Sequence, residues 1–248
     1  MLSKSQISFI KSLHQKKYRK ENGLFLVEGI KSIKEFIQSP YRIHTIFYLS
    51  EHSGLLPKLP ANINLFEVNN VELGKISTLQ TPQGFLAVVH LPESKPADLQ
   101  NLRNQFTIVL DGVQDPGNMG TIIRTADWFG FKNIICSEDC VEVFNPKTVQ
   151  ATMGSLARVN VHYNDLNALL ENNQIPVFGA LLEGESIYHT DWKKEGLIIL
   201  GNEGKGISAD VMNKITKPVT IPRFGEAESL NVAVSAAIFC SEIARTQN

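Results

Sequence analysis

The chain has 248 residues, 43% of them hydrophobic, with a formal net charge of −1. That length can bury one or two cores and suits two modest domains better than one. Three cysteines, Cys136, Cys140 and Cys240, are too few and too scattered for a disulfide framework and read as small core residues. No Cys/His cluster has zinc-ligand spacing, so no metal is expected, and no run of about 18 or more apolar residues offers a membrane span. A cytoplasmic protein is expected, with no membrane partner.

Near-neutrality does not mark a nucleic-acid protein, but the charge is unevenly placed. Residues 1–100 hold 12 Lys+Arg against 8 Asp+Glu, whereas residues 101–248 hold 12 against 17. The positive half is therefore the side for a polyanion. Within Met1 to Lys20 the cations Lys4, Lys11, Lys16, Lys17, Arg19 and Lys20 occur without an acid. Ile7, Ile10 and Leu13 recur at helical spacing, which predicts an amphipathic helix with a cationic side. Such a face is ordinarily just solvated; a cluster of Lys16, Lys17, Arg19 and Lys20 could instead hold phosphates, positioning RNA without reading its sequence.

A strand-like segment follows at Gly23 to Gly29. Helix Ile30 to Gln38, strands Ile43 to Leu49 and Ile63 to Val68, helix Val71 to Ile76 and strand Gly84 to Val89 complete a small α/β/α sandwich. Leu91 to Asp98 concentrates prolines and charges without an apolar period, which places a domain over residues 1–91, a linker over 92–103 and a second domain over 104–248. Strands there are expected at Phe106 to Asp111, Asn133 to Cys136, Val159 to His162, Val177 to Leu181, Leu197 to Gly201 and Val219 to Ile221, with helices between them. That alternation predicts a mostly parallel sheet. Since connections rarely thread, sequence physics alone predicts an unknotted, Rossmann-like order.

Three stretches of this half stand out. In Phe106 to Gly130, FTIVLDGVQDPGNMGTIIRTADWFG, a strand ends in a turn and a helix begins near Asn118, with Arg124 six residues further along it. An arginine there is ordinarily solvated or ion-paired. In Leu197 to Ser208, LIILGNEGKGIS, an apolar strand runs into glycines around Asn202 and Glu203. Lys205 lacks the following Ser or Thr of a P-loop, and no GxGxxG follows a strand. In Ile221 to Phe239, IPRFGEAESLNVAVSAAIF, a polar loop meets an apolar helix that Ser229 can cap, with Asn231 in its first turn.

DPGNMGTIIRTA, LGNEGKG and IPRFGEAESLNVAVSAA, in that order and spacing, closely resemble the three motifs of the SpoU (TrmH-type) RNA ribose methyltransferases of the SPOUT superfamily. The resemblance covers roughly Phe106 to the C-terminus. It implies an α/β SPOUT domain with a deep trefoil knot, behind a smaller ribosomal-protein-like α/β/α substrate-binding domain. It also implies a homodimer and transfer of a methyl group from S-adenosylmethionine to a ribose 2′-hydroxyl, on ribosomal RNA ahead of transfer RNA. Carried over motif by motif, it assigns Asn118, Arg124, Glu203, Ser229 and Asn231 to catalysis or active-site architecture. The cofactor is placed against Leu181, Gly201, Glu203, Ile221 and Leu230. Base methylation is a competing reading that Ser229-Leu230-Asn231 opposes, and a knotted RNA-binding protein without turnover is another that the intact motifs oppose. Met119, Trp128, Arg223 and Phe224 lie where the family varies.

Overall fold

A computed structural model describes residues 1–60, 63–93 and 96–247. Its chain forms two compact units, Met1–Glu93 with Glu142–Ala157, and Ser94–Val141 with Arg158–Asn248. Two residues of the expected linker, Ser94 and Lys95, lie outside the described residues.

The first unit takes most of its elements from the N-terminal third. They are α1 (Lys4–Ser12), α2 (Lys16–Asn22), β1 (Leu24–Glu28), α3 (Ile30–Ile37), β2 (Ile43–Leu49), β3 (Asn64–Val68), α4 (Asn70–Ile76) and β4 (Phe85–His90). The strands form one sheet in the order β1-β4-β2-β3, with only β2 and β3 parallel. One face packs Leu26, Phe47, Leu49 and Val88 under Ile10 and Leu13 of the first helical segment and Leu73 and Ile76 of α4. The other face carries the rings of Phe25, Phe36 and Tyr41, and Phe144 closes on Phe25 at 4.8 Å between centroids. Phe144 belongs to Glu142–Ala157, a segment from far down the chain that adds the helix at Pro146–Ala151 (α6, numbered in chain order).

The single N-terminal helix expected from the charge pattern is two. A Ser3/Gln6 capping box starts α1, which ends at Leu13, and α2 restarts beyond Gln15 and stops at left-handed Gly23. Arg19 requires a second correction. It is 1% exposed, donates through Nη1 to the carbonyls of Leu13 (3.0 Å) and His14 (2.9 Å), and forms a two-pronged ion pair with Glu142. With its donors so committed it cannot reach an RNA phosphate. It locks the α1–α2 turn to the returning segment instead. Lys16, Lys17 and Lys20 remain exposed.

The second unit is a six-stranded, wholly parallel sheet: β5 (Phe106–Leu110), β6 (Asn133–Cys136), β7 (Asn160–Tyr163), β8 (Val177–Ser186), β9 (Gly196–Leu200) and β10 (Lys217–Thr220). Its helices are α5 (Pro116–Trp128), α7 (Leu166–Glu171), α8 (Ala209–Met212) and α9 (Val232–Gln247). Central β5 and β9 are buried at every position, which is why they read in the sequence as unbroken apolar runs. The strand order is β10-β8-β9-β5-β6-β7. A simple Rossmann-like progression would put β8 beside β5; here the later β9 lies between them and β10 flanks β8 on its far side. The carboxyl ends of β5, β9 and β8 therefore lie side by side, which is where open parallel sheets form ligand sites.

Candidate active site

Three loops leave the carboxyl edge of this sheet, and side-chain amides join them. Asp115 caps α5 by accepting from the Asn118 backbone N–H (2.8 Å), with Pro116 in the first turn. That fixes Asn118 at the helix mouth. Its Nδ2 donates to Glu203 Oε1 (2.8 Å), and its Oδ1 accepts from Asn231 Nδ2 (3.0 Å). Asn231 Oδ1 in turn accepts from the backbone N–H groups of Ala233 (2.9 Å) and Val234 (3.3 Å). One hydrogen-bonded line thus runs from Glu203 through Asn118 and Asn231 into the start of α9, joining all three stretches singled out in the sequence.

The cap of α9 is therefore Asn231 and not Ser229. Asn231 stands just outside the helix with its side chain turned back on it, so it does not occupy the first turn as expected. Ser229 is exposed and has no hydrogen bond among the described residues.

The loop after β9 is held by Asn202, to which the motif resemblance assigns no role. Asn202 Oδ1 accepts from the N–H groups of Gly204 (2.9 Å) and Lys205 (3.0 Å), while its Nδ2 donates to the carbonyl of Gly112 (2.7 Å). Asn202 and Gly206 also exchange two backbone bonds, with Gly206 at φ 72°. Asp111 Oδ2, at the end of β5, accepts from Ser208 N (2.7 Å), and Gly112 N donates to Ser137 Oγ (2.8 Å). An Asp, an Asn and a Ser at the ends of three buried strands were the available signal. Gly201 is needed for this fold-back, since a Cβ there would fall on the main chain of Gly206 and Ile207. At Gly204 the nearest atom to such a Cβ is 3.7 Å away, so that position is open.

The third wall comes from an irregular pairing. β10 pairs Pro218 with Gly179 and then Val219 with Glu185, so residues 180–184 have no partner on β10 and bulge from the edge. Thr220 Oγ1 ties the bulge down by donating to the Leu182 carbonyl (3.0 Å). Leu181 packs against the core formed by Val177, Leu197 and Ile199, whereas Leu182 is 74% exposed. Ile221 is half-buried directly after β10, and Leu230, beside Asn231, is 48% exposed.

Arg124 stands apart from this line. Six residues beyond Asn118 it lies about 9 Å further along α5 and roughly 120° round it. It is exposed, and its side chain makes no hydrogen bond or ion pair among the described residues. Between α5 and α9 runs a groove of about 520 Å³ whose lining includes Asn118, Thr121, Thr125, Tyr188, Val234 and Ile238. Trp128 does not pack in the core; it is exposed at the far end of α5, and Met119 is buried. Among the described residues no group of His, Cys, Asp or Glu could hold a metal ion, and no helix is long and apolar enough to cross a membrane.

Comparison with known proteins matches this geometry to a family. The SpoU rRNA Methylase family is matched over residues 105–241, and an MRM3-like substrate binding domain over residues 4–87. The 23S rRNA (guanosine(2553)-2′-O)-methyltransferase RlmP of Bacillus subtilis is 32% identical over 232 residues, covering 92% of this chain and 91% of its own length. A TrmH-family protein of Porphyromonas gingivalis has a TM-score of 0.90 at 40% identity, with 99% of each chain covered. The AdoMet-bound rRNA methyltransferase of Sinorhizobium meliloti has a TM-score of 0.88 at 28% identity, covering 100% of this chain and 98% of that one. Likeness along the whole length, with the three loops joined as described, means that the chain belongs to the SpoU rRNA methylase family.

Proposed function

We propose that this protein transfers a methyl group from S-adenosylmethionine to a ribose 2′-hydroxyl of ribosomal RNA, as a cytoplasmic homodimer whose second unit is threaded as a deep trefoil knot. The observation that carries this reading is the Glu203–Asn118–Asn231 line, which gathers three remote sequence motifs into one polar cluster beside apolar, accessible Leu230. The surroundings fit such a cofactor: an open glycine at Gly204, main-chain groups of the 180–184, 201–206 and 221–230 loops, and apolar side chains at Leu181, Leu182, Ile221 and Leu230. When bound, the cofactor supplies an electrophilic methyl group on a sulfonium.

The chain's own residues then have to hold the sugar and make its hydroxyl a nucleophile. Asn118 has both a donor and an acceptor committed within the line, so its role is to set the positions of Glu203 and Asn231. Glu203 Oε2 and the Ser229 hydroxyl stay available to orient the ribose. A guanidinium carries N–H donors and no acceptor, so Arg124 has no lone pair with which to take the hydroxyl proton. It holds the adjacent phosphate and favours the developing alkoxide electrostatically, the hydroxyl proton passing to solvent water as the O–CH3 bond forms and the S–CH3 bond breaks. Its place on α5, turned away from Asn118, suits action across a dimer formed on the α5/α9 face. The exposed Lys16, Lys17 and Lys20 contribute phosphate contacts.

The test is incorporation of labelled methyl into an unmodified large-subunit ribosomal RNA transcript, with the modified ribose located by its resistance to alkaline cleavage. Arg124→Ala is expected to cut incorporation by about a hundredfold or more while cofactor affinity holds. Mixing Arg124→Ala with Asn118→Ala protein should restore activity, since one site of each mixed dimer is intact. No recovery on mixing would sink the cross-subunit role, and label on a base would sink the ribose chemistry.

A further inference from the structure

The loop from Ile221 to Leu230 contains a feature that the hydrogen-bonded line and the cofactor walls leave unused. Arg223 Nη1 donates to the carbonyl of Ala227 (3.3 Å), closing a short turn with Phe224 near its tip, and Phe224 is 98% exposed. The same loop ends at Asn231, itself bonded to Asn118, so the ring stands on a segment anchored in the reactive cluster.

What could cover such a ring is decided by its neighbours. The turn is acidic on balance, with Arg223 against Glu226 and Glu228, so attraction for phosphate is not what it offers. Phe224 is flanked by exposed Gly225 and Glu226, with exposed Glu228 following, whereas the core of a subunit contact is depleted of acidic side chains. Nor does the ring pack back on the cofactor walls. An aromatic face with a guanidinium beside it, presented on a polar turn, matches the way proteins hold unpaired nucleobases: a flat stacking surface and planar donors.

Resting on the methyltransferase reading above, we propose that Phe224 is a stacking platform for a nucleobase of the bound RNA next to the reacting ribose, with the remaining Arg223 donors facing that nucleotide. Phe224 on this account positions the substrate and takes no part in methyl transfer itself.

The test uses two end-labelled probes of about twelve nucleotides, an oligo(A) and a ribose–phosphate chain of equal length and charge without bases, titrated by fluorescence anisotropy. Wild-type protein should prefer oligo(A) by about tenfold or more. Phe224→Ala should fall to the affinity of the base-free chain, and Phe224→Tyr should restore the preference. On the ribosomal RNA transcript, Phe224→Ala should raise KM for RNA by about tenfold and leave the cofactor's KM unchanged. An undiminished oligo(A) preference in Phe224→Ala, or equal binding of both probes by wild type, would overturn the proposal. So would a loss of cofactor affinity, which would assign the ring to the cofactor pocket, or a change in sedimentation, which would assign it to a subunit contact. Wild-type incorporation is measured alongside. Its absence overturns the methyltransferase reading whatever the anisotropy shows, and incorporation with an undiminished preference in Phe224→Ala overturns the stacking alone.

Discussion

Asn231 has two tasks, capping α9 through Oδ1 and bonding Asn118 through Nδ2, and substitution can separate them. Asp is an equally good N-cap but has no N–H. Asn231→Asp should therefore melt close to wild type while methyl transfer falls, whereas Asn231→Ala should lose about 1 kcal/mol of stability as well as activity, read by urea unfolding. Arg19 and its lysine neighbours separate in the same way. Removing one partner of a buried ion pair strands the other, so Arg19→Ala should cost about 3–5 kcal/mol. Lys16→Ala with Lys20→Ala should leave the melt unchanged but weaken RNA binding, lowering the salt-dependence slope by about 0.7–0.9 per lysine that contacts phosphate. In the sequence these cations look alike. What distinguishes Arg19 is Glu142, 123 residues away, and no local pattern carries that information.

At the level of elements, the loop after β9 is as tightly specified as a strand. Gly201→Ala would drive a methyl group into the main chain of Gly206 and Ile207, so the Asn202–Gly206 fold-back has to open. The expected result is a loss of about 1–3 kcal/mol together with cofactor binding, read by calorimetric titration, while Gly204→Ala, with space around it, keeps the fold. A Gly201→Ala protein with normal cofactor affinity would show that the fold-back is not part of the pocket. Apart from β8, the strands were legible to within a residue or two; Phe106–Leu110 and Gly196–Leu200, for example, are buried on both faces and apolar throughout. The details between them were less so. The α1–α2 break has no Gly or Pro between Ser12 and Lys16, and Ser229 and Asn231 are both good caps that only the Asn118 contact tells apart. The strand at Val177 continues to Ser186 past residues that have no partner on β10, and pairing between strands so far apart leaves no periodicity to read.

For the molecule as a whole, the notable fact is that the first unit is built from two separate stretches of chain. A fragment ending at Glu93 keeps the four-stranded sheet but leaves Arg19 without Glu142 and Phe25 without Phe144. Such a fragment should give a poorly dispersed amide spectrum and no cooperative melt, and appending residues 142–157 through a flexible linker should restore both. A sharp two-state transition in the bare fragment would show that the returning segment is dispensable. The arrangement also bears on how such a protein can diversify. Exchanging its first 93 residues for those of a relative would set whatever side chain arrives at position 19 against the resident Glu142. Recombination at the apparent domain border is thus penalised unless a short stretch from the other half travels with it, which ties the inheritance of the first unit to that of residues 142–157.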